Sequence, residues 1–304
     1  MTGKTTPTQR RVLAAVAVVM GLYLMLVAPF QVLANLNPCL RALNEVWQVA
    51  EPQGVWDTPV PILTVTFHVW MALFVFAGAV LVVIARDIAA GKAWARPLAL
   101  ALLALPAIGG LSFVIPWMVL VVRQPGGGEN PAAGSPPGML IMVLGLAAFF
   151  LMLLLEQSDI KTKAAQVVLF GWFGITAGMV YMNAQHGVRY FLHNPSAPYF
   201  EPRYSHPELF LGGYVLYAST ALFIVAIGLL AARHPLGWYV GVTGALMTAV
   251  VMFLVFLDRQ QAGASGAAEW LRGALLAVVL LVLLLIPGIQ RRVLGRPVFG
   301  AAAS

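Results

Sequence analysis

Charge is what this chain has least of. Only 10% of its 304 residues are Asp, Glu, Lys or Arg, against about a quarter in a soluble domain, which excludes water as the main solvent. Cysteine is nearly absent too. Cys39 stands alone, so there is no internal disulfide, CxxC pair, zinc ribbon or iron–sulfur spacing. It reads as a small buried residue just beyond the first apolar run. Walker A, GxSxG and HExxH motifs are missing, as is a long Gly-rich nucleotide loop. Soluble-style catalysis is therefore not expected. The net charge of +7 comes without the interleaved basic and aromatic residues that bind single strands, so nucleic acid is not an expected partner.

What is present is apolar length. Hydrophobic residues make up 61% of the chain. They gather in eight runs, at 12–34, 59–85, 97–122, 138–155, 164–185, 209–232, 236–257 and 270–286. A run of roughly 20 apolar residues crosses the hydrocarbon core as a helix, because lipid offers the backbone no other hydrogen-bond partners. The runs do not alternate as barrel strands do. The expected fold is an all-α membrane protein with about eight transmembrane helices. Lys4, Arg10 and Arg11 before the first run resemble the flank of a secretory signal, whose apolar core spans only about 7–15 residues. The longer run here predicts a retained first span, with cleavage after Ala34 as the alternative.

With the N-terminus inside, Lys4, Arg10, Arg11, Arg86, Lys92, Arg96, Lys161, Lys163, Arg233, Arg291, Arg292 and Arg296 fall on the inner side. Arg41, Arg123, Arg189, Arg203, Arg259 and Arg272 fall outside. Twelve against six of the 18 basic residues is the bias of cytoplasmic loops. It predicts a multi-pass inner (plasma) membrane protein with both termini cytoplasmic.

The chain also reads as a duplication, with halves at 1–160 and 161–304. Met71-Ala72-Leu73-Phe74 aligns with Thr220-Ala221-Leu222-Phe223, and at a slightly different offset Gly21 falls on Gly178 and Asn37-Pro38 on Asn194-Pro195. Two parallel four-helix repeats follow, a plan known among transporters and suited to cofactor sites in bundle cores. The outer segments 35–58 and 186–208 are long for connections. Their Trp47, Trp56, Tyr190, Tyr199, Phe200 and Tyr204 suit a membrane–water boundary, which predicts loops capping the bundle. Residues 123–137, rich in Gly and Pro, read as a flexible connector. Its Asn130-Pro131-Ala132 sits in a polar loop rather than between half-helices. Glu156, Asp159, Lys161 and Lys163 read as a charged inner loop.

Ionisable groups at membrane depth are expensive and often functional. His68 is the exception to an uncharged interior, roughly 10–15 Å below the outer surface at helical rise. The duplication places Tyr217 at the equivalent position, predicting two polar groups facing each other across a core. His68 would serve as an axial haem ligand, a quinone hydrogen-bond donor or a proton relay, or simply bond to a neighbouring helix. The second constellation is Asn183, Gln185, His186, Arg189, Tyr190 and His193. If the fifth span continues outward as a helix, His186, Arg189, Tyr190 and His193 share one face. His186 and His193 then lie about 10 Å apart, too far for one metal ion. Arg189 beside His186 suits an anionic headgroup, a carboxylate or a quinone oxygen, or the face is an interfacial collar. Glu201, Arg203, His206 and Glu208 add polar groups outside, but no metal site is assigned.

Eight spans in two four-helix halves, with His68 near the outer end of the second span, resemble the plan of haem A synthase. The cofactors that His68 leaves open are haem b and a quinone. The resemblance covers the span plan and His68 only: that family uses a histidine in each of four spans, and the fourth, sixth and eighth spans here have none. Cys39 also lacks the partner of that family's cysteine pair. Three function classes remain open. The first is an integral membrane subunit or scaffold whose outer face binds a partner subunit, a lipid, a quinone or haem. The others are a small-molecule transporter using the repeat interface, and an intramembrane enzyme acting on a lipid or isoprenoid. Catalytic residues are unassigned.

Overall fold

The structure is a computed structural model and describes residues 5–50, 59–156, 158–193, 212–263, 266–295 and 298. These are 85% helical, with no strand among them. Helix α1 (Pro7–Leu26) opens with a capping box in which Gln9 N–H donates to Thr6 Oγ1 and Thr6 N–H donates to Gln9 Oε1, satisfying two orphan amides. It breaks at Val27 because Pro29, just inside α2 (Ala28–Arg41), has no N–H to continue the ladder. The Tyr23 hydroxyl spans the break to Gln31. Beyond Pro38 the chain widens into a π-helical turn, Ala42–Trp47, then a last turn, α3 (Gln48–Ala50). The expected loop at 35–58 is thus helical as far as Ala50, and the remainder lies outside the described residues.

The long helices follow: α4 (Pro59–Ala90), α5 (Ala95–Trp117, prolonged by a π turn at Met118–Val122), α6 (Gly138–Leu154), α7 (Ile160–His193), α8 (Tyr214–Ala231), α9 (Leu236–Gln261) and α10 (Ala267–Leu285). A short amphipathic helix, α11 (Pro287–Leu294), ends the order, its Gln290, Val293 and Leu294 buried. Among the described residues, seven helices are long and apolar enough to cross a membrane. Helix α6 is apolar but only 17 residues long. The surface is apolar as well: Phe30 is 72% exposed and Val83 76%, a pattern suited to lipid contact.

Successive long helices run antiparallel, so their connections gather on two faces. The proximal face holds the start of α1, the α4–α5, α6–α7 and α8–α9 turns, and α11. The distal face holds α2, α3, the α5–α6 connector and the far end of α7. Helices α1, α4, α5 and α6 pack in a closed ring, as do α7, α8, α9 and α10, while α5 also packs on α7 and α8. This makes α5 the centre: 67% of its apolar window is buried, against 28–44% in the other six spans.

Small residues set the closest approaches. A Cβ on Gly78 would lie 2.5 Å from the Gly21 carbonyl oxygen, so α1 and α4 touch backbone to backbone, as small residues permit in membrane helix pairs. Asn35 is fully buried. It donates to the Phe113 carbonyl at 3.1 Å and accepts from Gly138 N–H at 3.1 Å, pinning α2 to the facing ends of α5 and α6.

Glu156 is not part of an open charged loop. It is buried on the proximal face, where Arg96 donates to it at 2.7 Å and Arg233 donates to its other oxygen. Arg96 also donates to the carbonyls of Met152 and Leu153, capping the C-terminus of α6. The pairing ties α5 and α6 to the α8–α9 turn and holds Arg233 at φ 57°, a conformation that non-glycine residues seldom adopt.

The connector after α5 is also folded rather than loose. Trp47 donates to the Leu120 carbonyl at 3.0 Å, and Asn130 bonds to the carbonyls of Val121 and Val122. Three carbonyls left without partners by the helix end are thereby satisfied, which gives Asn130 a capping duty.

Candidate ligand cleft on the distal face

Helix α7 carries the polar wall of the site. It runs unbroken to His193, so the condition for a shared face of His186, Arg189, Tyr190 and His193 is met by the backbone. The side chains of Arg189, Tyr190 and His193 lie outside the described residues, as do Glu201, Arg203, His206 and Glu208. Its preceding turns project Asn183, Gln185 and His186 into a cavity of about 490 Å³. Ile62 and Leu63 of α4, Ile115 and Pro116 of α5, and Met179 and Met182 of α7 supply apolar lining. Arg123, Glu269 and Arg272 complete it. An apolar cavity with a few placed polar groups is the usual form of a small-molecule site.

The polar groups differ in how they are satisfied. Asn183 Nδ2 donates to the Met179 carbonyl at 3.0 Å, a bond within its own helix. The His186 ring sits edge-on to buried Trp270, centroids 6.2 Å apart. Gln185 is 6% exposed, and its Nε2 makes no hydrogen bond of ordinary length, although the Tyr181 hydroxyl lies nearby. A buried donor left unmade costs about 1–3 kcal/mol, so a ligand acceptor there would gain from meeting it. The charged groups Arg123, Glu269 and Arg272 are exposed at the cavity mouth.

One turn deeper, aromatic rings continue the wall. Tyr181 lies edge-on to Trp70 (5.1 Å) and to Tyr217 (5.2 Å). Gln185, Thr66 and Trp70 gather around the Tyr181 hydroxyl, and Thr66 also reaches Tyr217. Tyr217 therefore does belong to a polar–aromatic cluster joining α4, α7 and α8, with Tyr181 rather than His68 against its ring.

The chain matches no known protein family, no characterised protein and no solved structure. Its site rests on its own chemistry.

His68 occupies the other side of α4. It is exposed, between Val65 (63%) and Val69 (49%), and its Nδ1 lies 2.6 Å from the Thr64 carbonyl oxygen. With the proton on Nδ1 it donates to that carbonyl, leaving the Nε2 lone pair available to a ligand. The cavity that receives His186 is not lined by His68. Haem ligation would therefore use an open outer surface of the helix. No three His, Cys, Asp or Glu side chains come together among the described residues.

Asn183, Gln185 and His186 stand out in the sequence through their clustering on one helix. Thr66, Trp70, Tyr181, Arg123 and Arg272 carry no such signal. These come from four separate segments and meet only by packing of non-adjacent helices, which no local spacing encodes.

Proposed function

We propose that the chain is an inner-membrane subunit of eight spans that holds an amphipathic ligand, a lipid or quinone, in the distal cleft. The observation that carries this reading is Gln185: a nine-tenths-buried amide whose donor makes no hydrogen bond of ordinary length, set in a cavity with a partly apolar lining and two arginines at its mouth. Such a cavity favours a molecule with a polar head and an apolar body.

Helix α6 serves as the eighth span. At 17 residues it is about 26 Å long, slightly short of the average hydrocarbon core, and local thinning accommodates such a span. Two four-helix repeats are supported by the burial register of α4 and α8. Phe67, Trp70, Phe74, Ala77 and Leu81 are buried, as are Leu216, Ser219, Phe223, Ala226 and Leu230 at the same offset. The halves differ in that α5, third in its ring, is enclosed by the other half, whereas α9 is not. Arg10, Arg11, Arg86, Arg96, Arg291 and Arg292 lie towards the proximal face, which supports placing that face and both termini in the cytoplasm.

The transporter reading draws on a cleft contacted by both rings. It would require the proximal face to part, and the Arg96–Glu156–Arg233 cluster clasps that face. For an enzyme, acid–base partners must reach one substrate. His68 and His186 lie towards different surroundings, so no catalytic pair is assigned and the lipid-site subunit is preferred.

The test is purification in mild detergent with lipid and quinone extraction and a reduced-minus-oxidised spectrum. A stoichiometric lipid or quinone, reduced in His186→Ala, is expected. A haem band lost in His68→Ala and no bound amphiphile would replace this reading with a redox subunit.

A further inference from the structure

A second cavity, of about 160 Å³, lies deeper along the same α5–α7 contact. Its walls are almost wholly apolar: Ala107 and Ile108 of α5, Leu146 and Phe149 of α6, and Gly171 and Gly174 of α7. Leu146 and Ile175 at its rim are exposed, so it opens sideways towards lipid. Leu111 lines this pocket and lies across Gly178, at the height that divides it from the distal cleft. Gly178 leaves room for that leucine, and a leucine end is a flexible barrier. From Gly174 to His186 is twelve residues of α7, about 18 Å at helical rise, the reach of a long alkyl chain.

At the cleft mouth, Arg123 and Arg272 outnumber Glu269, and the Gln185 amide donor adds to them. Guanidinium forks match phosphate oxygens in geometry and charge, whereas a quinone carbonyl gains little from two of them. Resting on the proposed lipid-site reading, we infer that cleft and pocket are the two ends of one site for a single long-chain amphiphile with a phosphate head, its chain passing Leu111 into the apolar pocket.

The glycines supply the test. Nothing lies within 4 Å of a Cβ built on Gly174, so the side chain of Gly174→Leu starts in open space and is directed at filling the pocket. Arg272→Gln removes head charge from an exposed position. The full-length protein in zwitterionic nanodiscs is titrated with hexadecyl phosphate, butyl phosphate and hexadecanol, read by native mass spectrometry. Hexadecyl phosphate is expected to bind tightest, weakened about tenfold by either substitution. Butyl phosphate should be weaker and sensitive to Arg272→Gln alone. If Gly174→Leu leaves hexadecyl phosphate unaffected while Arg272→Gln weakens both phosphates, the site takes free phosphate or a headgroup only, and the chain compartment is refuted. Equal binding of hexadecanol and hexadecyl phosphate refutes the anionic head but leaves an amphiphile site. Binding of none of the three overturns both this inference and the function on which it rests. Thermal unfolding of each variant, with an unchanged midpoint, excludes misfolding as the cause of lost binding.

Discussion

Gln185 is a buried amide whose donor makes no hydrogen bond of ordinary length inside the fold. Replacing such a donor by an apolar group of similar size removes a desolvation cost of about 1–3 kcal/mol. Gln185→Leu is therefore expected to unfold at the same or a higher temperature in detergent while retaining about a tenth of the co-purified ligand. Marked destabilisation would show instead that the amide is a structural member of the Tyr181 cluster. Glu156 presents the opposite case. Both oxygens are engaged by arginines at the proximal face, so Glu156→Gln leaves two partly buried guanidiniums short of their counter-charge. A loss of about 3 kcal/mol is expected, measured as a fall in unfolding midpoint and as loosening of the α8–α9 turn in hydrogen exchange. No loss of stability would mean the pairing is incidental. At Cys39, burial pushes the thiol up to about 12, keeping it protonated at neutral pH and away from reagents, since the thiolate is the nucleophile. Maleimide labelling at pH 7.5 should be slow in the native protein and fast after denaturation; rapid native labelling would contradict the burial.

At the scale of the element, backbone contact between α1 and α4 is a demanding feature. Gly21 and Gly78 each face the other's carbonyl, and a Cβ on either would lie within 2.7 Å of it. Gly78→Leu cannot be absorbed by a side-chain rotation, and a cost of about 3 kcal/mol is expected. A thermal melt that leaves Gly78→Leu at the wild-type midpoint would contradict the packing. The existence of the long helices was legible because apolar length alone decides it. Their ends were less so. Nothing local announced that the chain past Pro38 stays helical through a π turn, since that turn depends on α2 docking through Asn35. The same limit applies to Asn130. Its tripeptide was visible, but its duty as a cap for the carbonyls of α5 requires knowing that the connector folds back.

For the whole molecule, the sequence spoke clearly about solvent and weakly about interior. Runs of Leu, Val and Ala are similar on every side, so hydrophobicity could not separate lipid-facing from core-facing positions. His68 shows the consequence. Depth singled it out as a core candidate, but rotation about the helix axis, set by packing of Phe67 and Trp70 inward, turned it outward. The distal cleft was invisible for a related reason, being assembled where α5 of one ring meets α7 of the other. The most direct test of the cleft places a photoreactive amino acid at Met182, on its wall, and at Val83, on the exposed surface of α4, as a control. Illumination in native membranes, followed by mass spectrometry, identifies what each position touches. At Met182 one defined amphiphile should be captured, saturably and far above its share of the membrane, whereas Val83 should sample bulk lipid. If Met182 captures the same mixture as Val83, or nothing but solvent, the distal cleft is not a ligand site.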